Sequence, residues 1–302
     1  MLRVVPDVTL THPDKALFPA DGITKADLAG YYEAVAAHLL PHVEDRPLSL
    51  QVFPGGIQRP GHFLKNVPDY FPDWVRRAEL PKRGGTTTHP VADAPEVLRM
   101  LVQHNAITLH VPTARLDRLD RPDRLVVDLD PSGEDQWDDV RLGARLMAPL
   151  LRDAGLEPFL MTTGSRGVHV VAPLRRELGY DDVLAMGQDL AAAVIAAEPD
   201  RFTTKFKKED RGGRVFVDVL RNRPAQTAVA AYSVRARPGA PVATPITWDE
   251  LDATGPRDWT VASVPERLAA GRDPWAALSA AAASPRPAAR WLAEAAAAAP
   301  QD

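Results

Sequence analysis

The stretch Arg124–Asp130, with the sequence RLVVDLD, decides the fold because it combines a buried strand with two carboxylates. Side chains alternate between the two faces of a β-strand, so Asp128 and Asp130 point the same way, together with Val126. The opposite face carries the apolar residues Leu125, Val127 and Leu129. The sequence therefore predicts a strand that buries one face and presents an acidic pair on the other.

The acidic pair lies at the end of the strand, just before Pro131, where solvent can reach it. Two carboxylates held close together repel each other unless a cation lies between them. Hard oxygen ligands of this kind suit Mg²⁺ or Mn²⁺. Two exposed acids at the entrance to a loop would show the same pattern, so both interpretations stay open for the pair alone.

A third acid, Asp218, interrupts the apolar segment Val215–Leu220, with the sequence VFVDVL. Burying an unpaired carboxylate costs several kcal/mol, so a cation must lie near it. One possibility is a structural salt bridge with a neighbouring arginine, for which the candidates are Arg214, Arg221 and Arg223. The other is a site for two metal ions completed by the acidic pair.

The segment Thr163–His169, with the sequence TGSRGVH, predicts a tight turn between two strands. Such a turn can direct backbone N–H groups, Ser165 and Arg166 towards an anion, and His169 follows one strand step later. A plain hairpin with an exposed arginine is the alternative.

The pattern around this centre alternates between strands and helices. Helices are predicted at 137–151 and 181–197, and strands at 157–163, 168–172 and 215–220. Nearer the N-terminus, Thr24 and Asp27 indicate the start of a helix that Pro41 ends. Strands are predicted at 46–53 and 105–111, and C-terminal helices at 264–270, 274–282 and 286–299. This order favours an α/β (α+β) fold.

Composition limits the classes of function. The 302 residues carry 36 basic and 40 acidic side chains, a net charge of −4, so any nucleic-acid surface must be a local patch. The absence of cysteine excludes disulfides, thiolate zinc sites and a cysteine nucleophile. The start of the chain, Met1–Asp7, has no export signal, and no run of about 18 apolar residues is present. We therefore expect a soluble, cytoplasmic protein with no membrane partner.

Two segments are locally basic. Residues 201–214 carry six basic and two acidic side chains, which favours contact with a phosphate backbone, although a solvated loop is the simpler reading. In residues 59–83, six basic residues that include Arg83 are interleaved with aromatic ones, as stacking on unpaired bases requires. The aromatic residues are Phe63, Tyr70, Phe71 and Trp74, of which at least two are expected in the core.

Taken in chain order, the acidic pair, the glycine-flanked turn and Asp218 resemble the archaeo-eukaryotic primase superfamily. More narrowly, the chain from Leu10 to Asp249 resembles the polymerase domain of bacterial ligase D, which acts in non-homologous end joining. The supporting segments are His12–Pro19 (HPDKALFP), Phe63–Asn66 (FLKN), Asp128–Pro131 (DLDP) and Gln226–Arg237 (QTAVAAYSVRAR). The resemblance implies a primase-type core with a central, mostly antiparallel sheet flanked by helices.

The resemblance also implies a role for each candidate residue. Two catalytic ions, Mn²⁺ or Mg²⁺, would bind Asp128, Asp130 and Asp218. The incoming nucleotide would contact Ser165, Arg166, His169 and Arg235. A recessed 5′-phosphate on DNA would bind Lys15 and Lys25, and a template base would stack on Phe63. The DNA backbone would contact Lys65, Lys205, Lys207, Lys208 and Arg211. His12 departs from the pattern, because asparagine is usual beside the phosphate lysine.

The implied activity is template-directed addition of ribonucleotides or deoxyribonucleotides to 3′ ends, filling short gaps at DNA breaks. The implied partners are DNA ends with gaps or 3′ overhangs, NTPs and dNTPs, Ku and an ATP-dependent DNA ligase, in the cytoplasm at the nucleoid. A non-catalytic end-bridging module of the same fold is the alternative. A nucleotide-sugar transferase would explain the acidic pair but neither Asp218 nor the basic–aromatic segment, and a nuclease is also conceivable.

The predicted organisation has a catalytic core at 1–248 and a helical appendage at 249–302 that packs on it. Within the core, residues 1–120 would carry the end-binding elements and 121–248 the catalytic sheet.

Overall fold

The structure, a computed structural model, describes residues 8–82 and 84–298. Three predicted features lie outside this range: the start of the chain at Met1–Asp7, the basic residue Arg83 and the last predicted helical residue, Ala299. The described residues form a mixed fold of helices and mostly antiparallel sheets, which confirms the predicted fold class. No helix among them is long and apolar enough to cross a membrane.

The chain folds into two compact units that interleave along the sequence. The first comprises the residues up to Val111 together with Thr227–Thr244 and Trp259–Asp273, and the second comprises Pro112–Gln226, Pro245–Asp258 and the residues from Pro274 onwards. Both units therefore include residues of the segment 249–302. The predicted domain boundary at 248/249 stays a prediction.

The described residues of the first part of the chain form seven strands and three helices. They are β1 (Ala16–Phe18), β2 (Ile23–Thr24), α1 (Lys25–Ala34), α2 (Ala36–Val43), β3 (Ser49–Val52), β4 (His62–Leu64), β5 (Arg77–Lys82), β6 (Gly85–Pro90), α3 (Pro95–Gln103) and β7 (Ala106–Val111). The remaining elements are β8 (Arg124–Asp130), α4 (Trp137–Asp153), β9 (Phe159–Thr162), β10 (Val168–Pro173), α5 (Tyr180–Ala197), β11 (Phe202–Thr203), β12 (Val215–Asp218), β13 (Ala228–Val229), β14 (Thr244–Ile246), α6 (Ser263–Ala269) and α7 (Pro285–Ala298).

A six-stranded sheet in the order β11-β12-β8-β10-β9-β14 dominates the second unit. The predicted strand Arg124–Asp130 is confirmed as β8 at its centre, where it pairs antiparallel with β10 and β12. Its apolar face is at most 1% exposed and is covered by α4 and α5. The helices approach closely, since a Cβ at Gly143 would lie 3.2 Å from Leu129. The acidic face is left for the site.

The first unit contains a four-stranded sheet in the order β13-β7-β3-β4 and the hairpin β5–β6. Helix α1 begins as predicted, with a capping box in which Thr24 and Asp27 satisfy each other's backbone N–H groups. The predicted end at Pro41 is wrong: the helix breaks at Val35, and α2 runs through Pro41 to Val43. One missing N–H is tolerated there because burial of Leu39 and Val43 holds the turn in place.

Two further predictions are corrected. The segment 274–282 forms turns instead of a helix, because the side chain of Trp275 is buried and donates to the backbone oxygen of Leu160 at 2.9 Å. Strand β12 ends at Asp218 instead of Leu220, because Asp218 accepts a hydrogen bond from the Leu220 N–H and turns the chain. The other predicted strands and helices are present with ends shifted by a few residues.

Candidate active site

Three side chains form a row across the acidic face of the six-stranded sheet. Asp128 on β8 lies directly opposite His169 on β10 and Asp218 on β12. Residues paired in this way project from the same face, with Cβ atoms about 5 Å apart. His169 Nε2 accordingly lies 3.5 Å from Asp128 Oδ2. The sheet register thus brings two predicted metal ligands and the predicted nucleotide-binding histidine together.

A single guanidinium group bridges the two carboxylates of this row. Arg221 follows β12 and places Nη2 3.4 Å from Asp128 Oδ2 and 3.3 Å from Asp218 Oδ2. Among the described residues its buried Nε has no hydrogen-bond partner. Of the three arginines that the sequence offered as partners for Asp218, the structure selects this one. Because one cation serves two carboxylates, the pair retains negative charge that a further cation can neutralise.

The two bridged carboxylates differ in acidity. Burial by itself would raise the pKa of Asp128, but the interactions of this carboxylate with His169 and then with Arg221 outweigh burial and lower that pKa to about 2. Burial raises the pKa of Asp218, and the charge of Asp128 raises it further, although Arg221 opposes both. Asp218 is therefore a buried carboxylate with too little positive charge around it.

Two arginines hold Asp130 at the end of β8. Arg166 Nη2 lies 3.0 Å from its Oδ1, and Arg211 Nη1 lies 3.1 Å from its Oδ2. Arg211 is only 7% exposed, and its guanidinium lies 4.4 Å from the centre of the Phe216 ring. Arg211, which the resemblance assigns to the DNA backbone, is thus buried in this conformation, and its contact with DNA stays a prediction. Arg166, predicted to contact nucleotide phosphates, faces Asp130 in this conformation.

The turn between β9 and β10 requires glycine for a steric reason. A Cβ at Gly167 would lie 2.0 Å from the backbone oxygen of Leu129, so no other residue fits against β8. The turn is fixed from outside by Arg257, whose Nε donates to the Ser165 backbone oxygen at 2.6 Å and whose Nη2 lies 2.6 Å from Glu134 Oε2. Close packing of this turn on β8 places Ser165 and Arg166 beside the acidic face.

The three carboxylates of the site are of the type that binds divalent cations. Asp128, Asp130 and Asp218 share one face of the sheet and offer carboxylate oxygens, the ligands that Mg²⁺ and Mn²⁺ prefer. In this conformation the arginines supply the positive charge, and within residues 8–82 and 84–298 no three His, Asp or Glu side chains are grouped to hold a metal ion. A metal site that uses all three acids requires Arg166 and Arg211 to release Asp130.

In the other unit, the two predicted phosphate-binding lysines lie close together. Lys15 Nζ donates to Asn105 Oδ1 at 2.9 Å and to the Pro54 backbone oxygen. Lys25 Nζ donates to the backbone oxygens of Thr11 and Gln103 at 2.9 and 3.0 Å. Burial, and then the charge of Lys15, lower the pKa of Lys25. Two ammonium groups that repel each other in this way favour an anion between them.

The remaining predicted contacts lie mostly on the surface. Phe63 on β4 is 54% exposed, and its ring centre lies 5.5 Å from that of His110. Arg235 is half-buried, and its N–H donates to the Pro241 backbone oxygen at 2.7 Å. The exposed predicted backbone contacts are Lys65, Lys205, Lys207 and Lys208.

Sequence reasoning missed several residues of these sites. Arg257 fixes the turn at Ser165 from a segment that had been assigned to a C-terminal appendage. Gln103 and Asn105 hold the lysine ammonium groups from the end of α3. No local pattern marks these residues. Asn105 adopts φ +60°, a backbone conformation that asparagine tolerates better than most residues. An asparagine at this position is consistent with that conformation but does not by itself reveal a binding site.

Comparison with known proteins agrees with this geometry. The family described as "LigD, primase-polymerase domain" matches residues 24–275. The multifunctional non-homologous end joining DNA repair protein LigD of Mycobacterium tuberculosis is 36% identical over 276 residues, which cover 88% of this chain and 36% of that protein. The multifunctional non-homologous end joining protein LigD of Pseudomonas aeruginosa is 36% identical over 273 residues, covering 89% and 32%. The chain thus spans only about a third of the length of these relatives.

A solved structure extends the comparison to the fold. The polymerase domain from Mycobacterium tuberculosis ligase D, determined in complex with DNA, superposes with a TM-score of 0.85 at 35% identity. The match covers 91% of this chain and 99% of that one. Together, these matches show that the chain belongs to the LigD primase-polymerase domain family of nucleotidyltransferases.

Proposed function

We propose that this chain adds ribonucleotides or deoxyribonucleotides to the 3′ ends of DNA and fills short gaps during double-strand-break end joining. The observation that carries the proposal is the row of His169, Asp128 and Asp218 across three neighbouring strands, with Asp130 two residues along. Template-directed nucleotidyl transfer needs carboxylates gathered on one rigid surface, and a central sheet provides that rigidity.

In this proposal Asp128, Asp130 and Asp218 hold two divalent cations, either Mn²⁺ or Mg²⁺. Ions held by these carboxylates would supply the positive charge that lowers the pKa of a 3′-hydroxyl and balances the charge on a leaving pyrophosphate. Arg166, released from Asp130, is within reach of the same face and would turn to the nucleotide phosphates. The predicted phosphate contacts are Ser165, Arg166, His169 and Arg235.

In this proposal the DNA contacts come from exposed or half-buried side chains and also from Lys25 and Arg211, which are buried in this conformation. Lys15 and Lys25 bind the 5′-phosphate across the gap, since each ammonium group has three donors and the structure uses two of them on protein oxygens. Phe63 stacks on a template base. The DNA backbone contacts Lys65, Lys205, Lys207 and Lys208, with Arg211 joining them only when it leaves Asp130.

We further propose that the chain works with Ku and an ATP-dependent DNA ligase at the nucleoid. The support is membership in a family whose relatives are named as non-homologous end joining proteins. A polymerase that fills a gap leaves a nick, so a ligase is the class of enzyme that must follow it.

The test is primer extension on a gapped duplex with each nucleotide type and with Mg²⁺ or Mn²⁺. Wild type should lengthen the primer, and Asp128→Asn should not. The matched control is Asp153→Asn, which removes an exposed acid at the end of α4, on the helix-covered side of the sheet. The control should extend the primer as wild type does.

The two alternative functions, an end-bridging module and a nuclease, predict different primer lengths in this assay. A non-catalytic end-bridging module would bind the gapped duplex and leave the primer unchanged, and a nuclease would shorten it. Either result with wild-type protein would overturn the proposed polymerase activity.

A further inference from the structure

A cluster of three rings lies at the surface of the first unit. The ring centre of His104 lies 4.8 Å from that of Tyr70 and 4.9 Å from that of Phe71, and the Tyr70 and Phe71 centres lie 5.5 Å apart. Phe71 is buried, whereas Tyr70 is 63% exposed. Arg77 contacts the same loop by donating to the Phe71 backbone oxygen at 2.8 Å. Tyr70 is thus an exposed ring that packs against His104 and Phe71.

The ring cluster adjoins the lysine pair. His104 is flanked in sequence by Gln103 and Asn105, whose oxygens accept the hydrogen bonds of Lys25 and Lys15 respectively. Consecutive Cα atoms are about 3.8 Å apart, so the backbone of His104 lies directly beside both residues that hold the lysine ammonium groups. A cationic pocket and an aromatic platform are therefore built on the same three-residue segment.

The surroundings of His104 favour the uncharged form of its imidazole ring. Burial, and then the charge of Lys25, lower the pKa of His104. His104 thus supports Tyr70 as an aromatic ring and leaves the phosphate to the lysines.

The lysine pair can bind the phosphate of a nucleotide, and the exposed ring of Tyr70 beside it can stack on the base of the same nucleotide. We propose that Tyr70, supported by His104 and Phe71, stacks on the base of the 5′-terminal nucleotide whose phosphate binds Lys15 and Lys25. This inference rests on the proposed function, and it adds a contact to the base where the lysines alone would read only charge. Stacking is tolerant of base identity, because every base has a π-face.

The test is a binding cycle on gapped duplexes that all carry the 5′-phosphate. One duplex has a normal terminal base on the downstream strand, and the other has an abasic residue there. Wild type should bind the normal end about 5-fold or more tightly, the lower end of what one stacked base contributes. Tyr70→Ala should bind both ends equally, and Tyr70→Phe should restore the preference.

Two further variants separate stacking from structure. Tyr70→Leu keeps an apolar cover over Phe71 and His104 without a flat ring, so it should lose the preference even if the alanine variant is unstable. Phe206→Ala removes another exposed ring, 69% exposed, from the second unit and should keep the preference. If Tyr70→Leu binds the normal end as selectively as wild type does, the proposed stacking is wrong.

The same duplexes distinguish this inference from the proposed function. Wild type that extends primers and prefers the 5′-phosphate, but ignores the terminal base, overturns the stacking alone. Wild type that neither extends primers nor distinguishes the 5′-phosphate overturns both.

Discussion

Replacing Asp128 with asparagine removes the carboxylate that lies between His169 and Arg221. Its pKa of about 2 in the folded protein, against an ordinary value of 3.8, corresponds to roughly 2 kcal/mol at neutral pH. Its side chain is only 14% exposed, so solvent screens this contribution little. Because the folded pKa is lowered, the contribution is present above the ordinary value and is lost as the pH falls towards 2.

The measurement is chemical denaturation in EDTA from pH 7 to pH 3, for wild type and Asp128→Asn. Asparagine has nearly the same shape but cannot ionise. The stability advantage of wild type over the variant should therefore be largest at pH 7, and it should fall by about 1 kcal/mol by pH 3. Asp153→Asn, which replaces an exposed acid at the end of α4, is measured alongside as the matched substitution.

For the same variant we expect the rate of primer extension to fall at least about 100-fold. Its affinity for gapped DNA should be nearly unchanged, because in the proposed function Asp128 binds metal and not phosphate. A stability difference that is constant from pH 7 to pH 3 would refute the argument that cations hold Asp128 ionised. Efficient extension by the variant would refute its role as a metal ligand.

Four other substitutions test neighbouring parts of the sites. Asp218→Asn should abolish extension yet raise the melting temperature in EDTA, because burial already raises the pKa of that carboxyl and disfavours its charge; a loss of several kcal/mol would make Asp218 a salt-bridge residue instead. Arg221→Met should strengthen Mn²⁺ binding measured by calorimetry, because it removes the cation that occupies Asp128 and Asp218; weaker binding would show that Arg221 positions these ligands. Lys15→Ala should reduce the preference for a 5′-phosphorylated gapped duplex about tenfold in anisotropy titrations. Lys25→Ala should do the same and also lower the free energy of unfolding by roughly 1–3 kcal/mol, since two backbone oxygens lose their donor. If wild type binds the phosphorylated and unphosphorylated duplexes equally, the proposed 5′-phosphate site is wrong.

Local patterns were enough to predict much of the second unit. The two-residue alternation in RLVVDLD predicts both the strand and the shared face of Asp128 and Asp130, because side-chain direction in a strand is set by the backbone itself. In the first unit, the start of helix α1 was equally predictable, since a capping box is satisfied within four residues. Short-range order of this kind can be read before any tertiary contact is known.

Other predictions failed where distant contacts override local preference. The alanine-rich segment 274–282 has helical composition, yet burial of Trp275 against Leu160 makes it a series of turns. The interior Pro41 was expected to end a helix, but packing of α2 in the core extends the helix two residues beyond it, to Val43. In both places the free energy of burying large side chains exceeds the cost of the local deviation.

The sequence by itself determined which residue types were available for the chemistry: three acids, a glycine-flanked turn and two lysines. Only the tertiary structure decided their partners. The register of β8 with β10 and β12 sets Asp128 between His169 and Asp218, and the turn after β12 delivers Arg221 to both acids. The reason is physical: register and long-range ion pairs follow from burying whole faces of a sheet, and a window of a few residues does not contain that information.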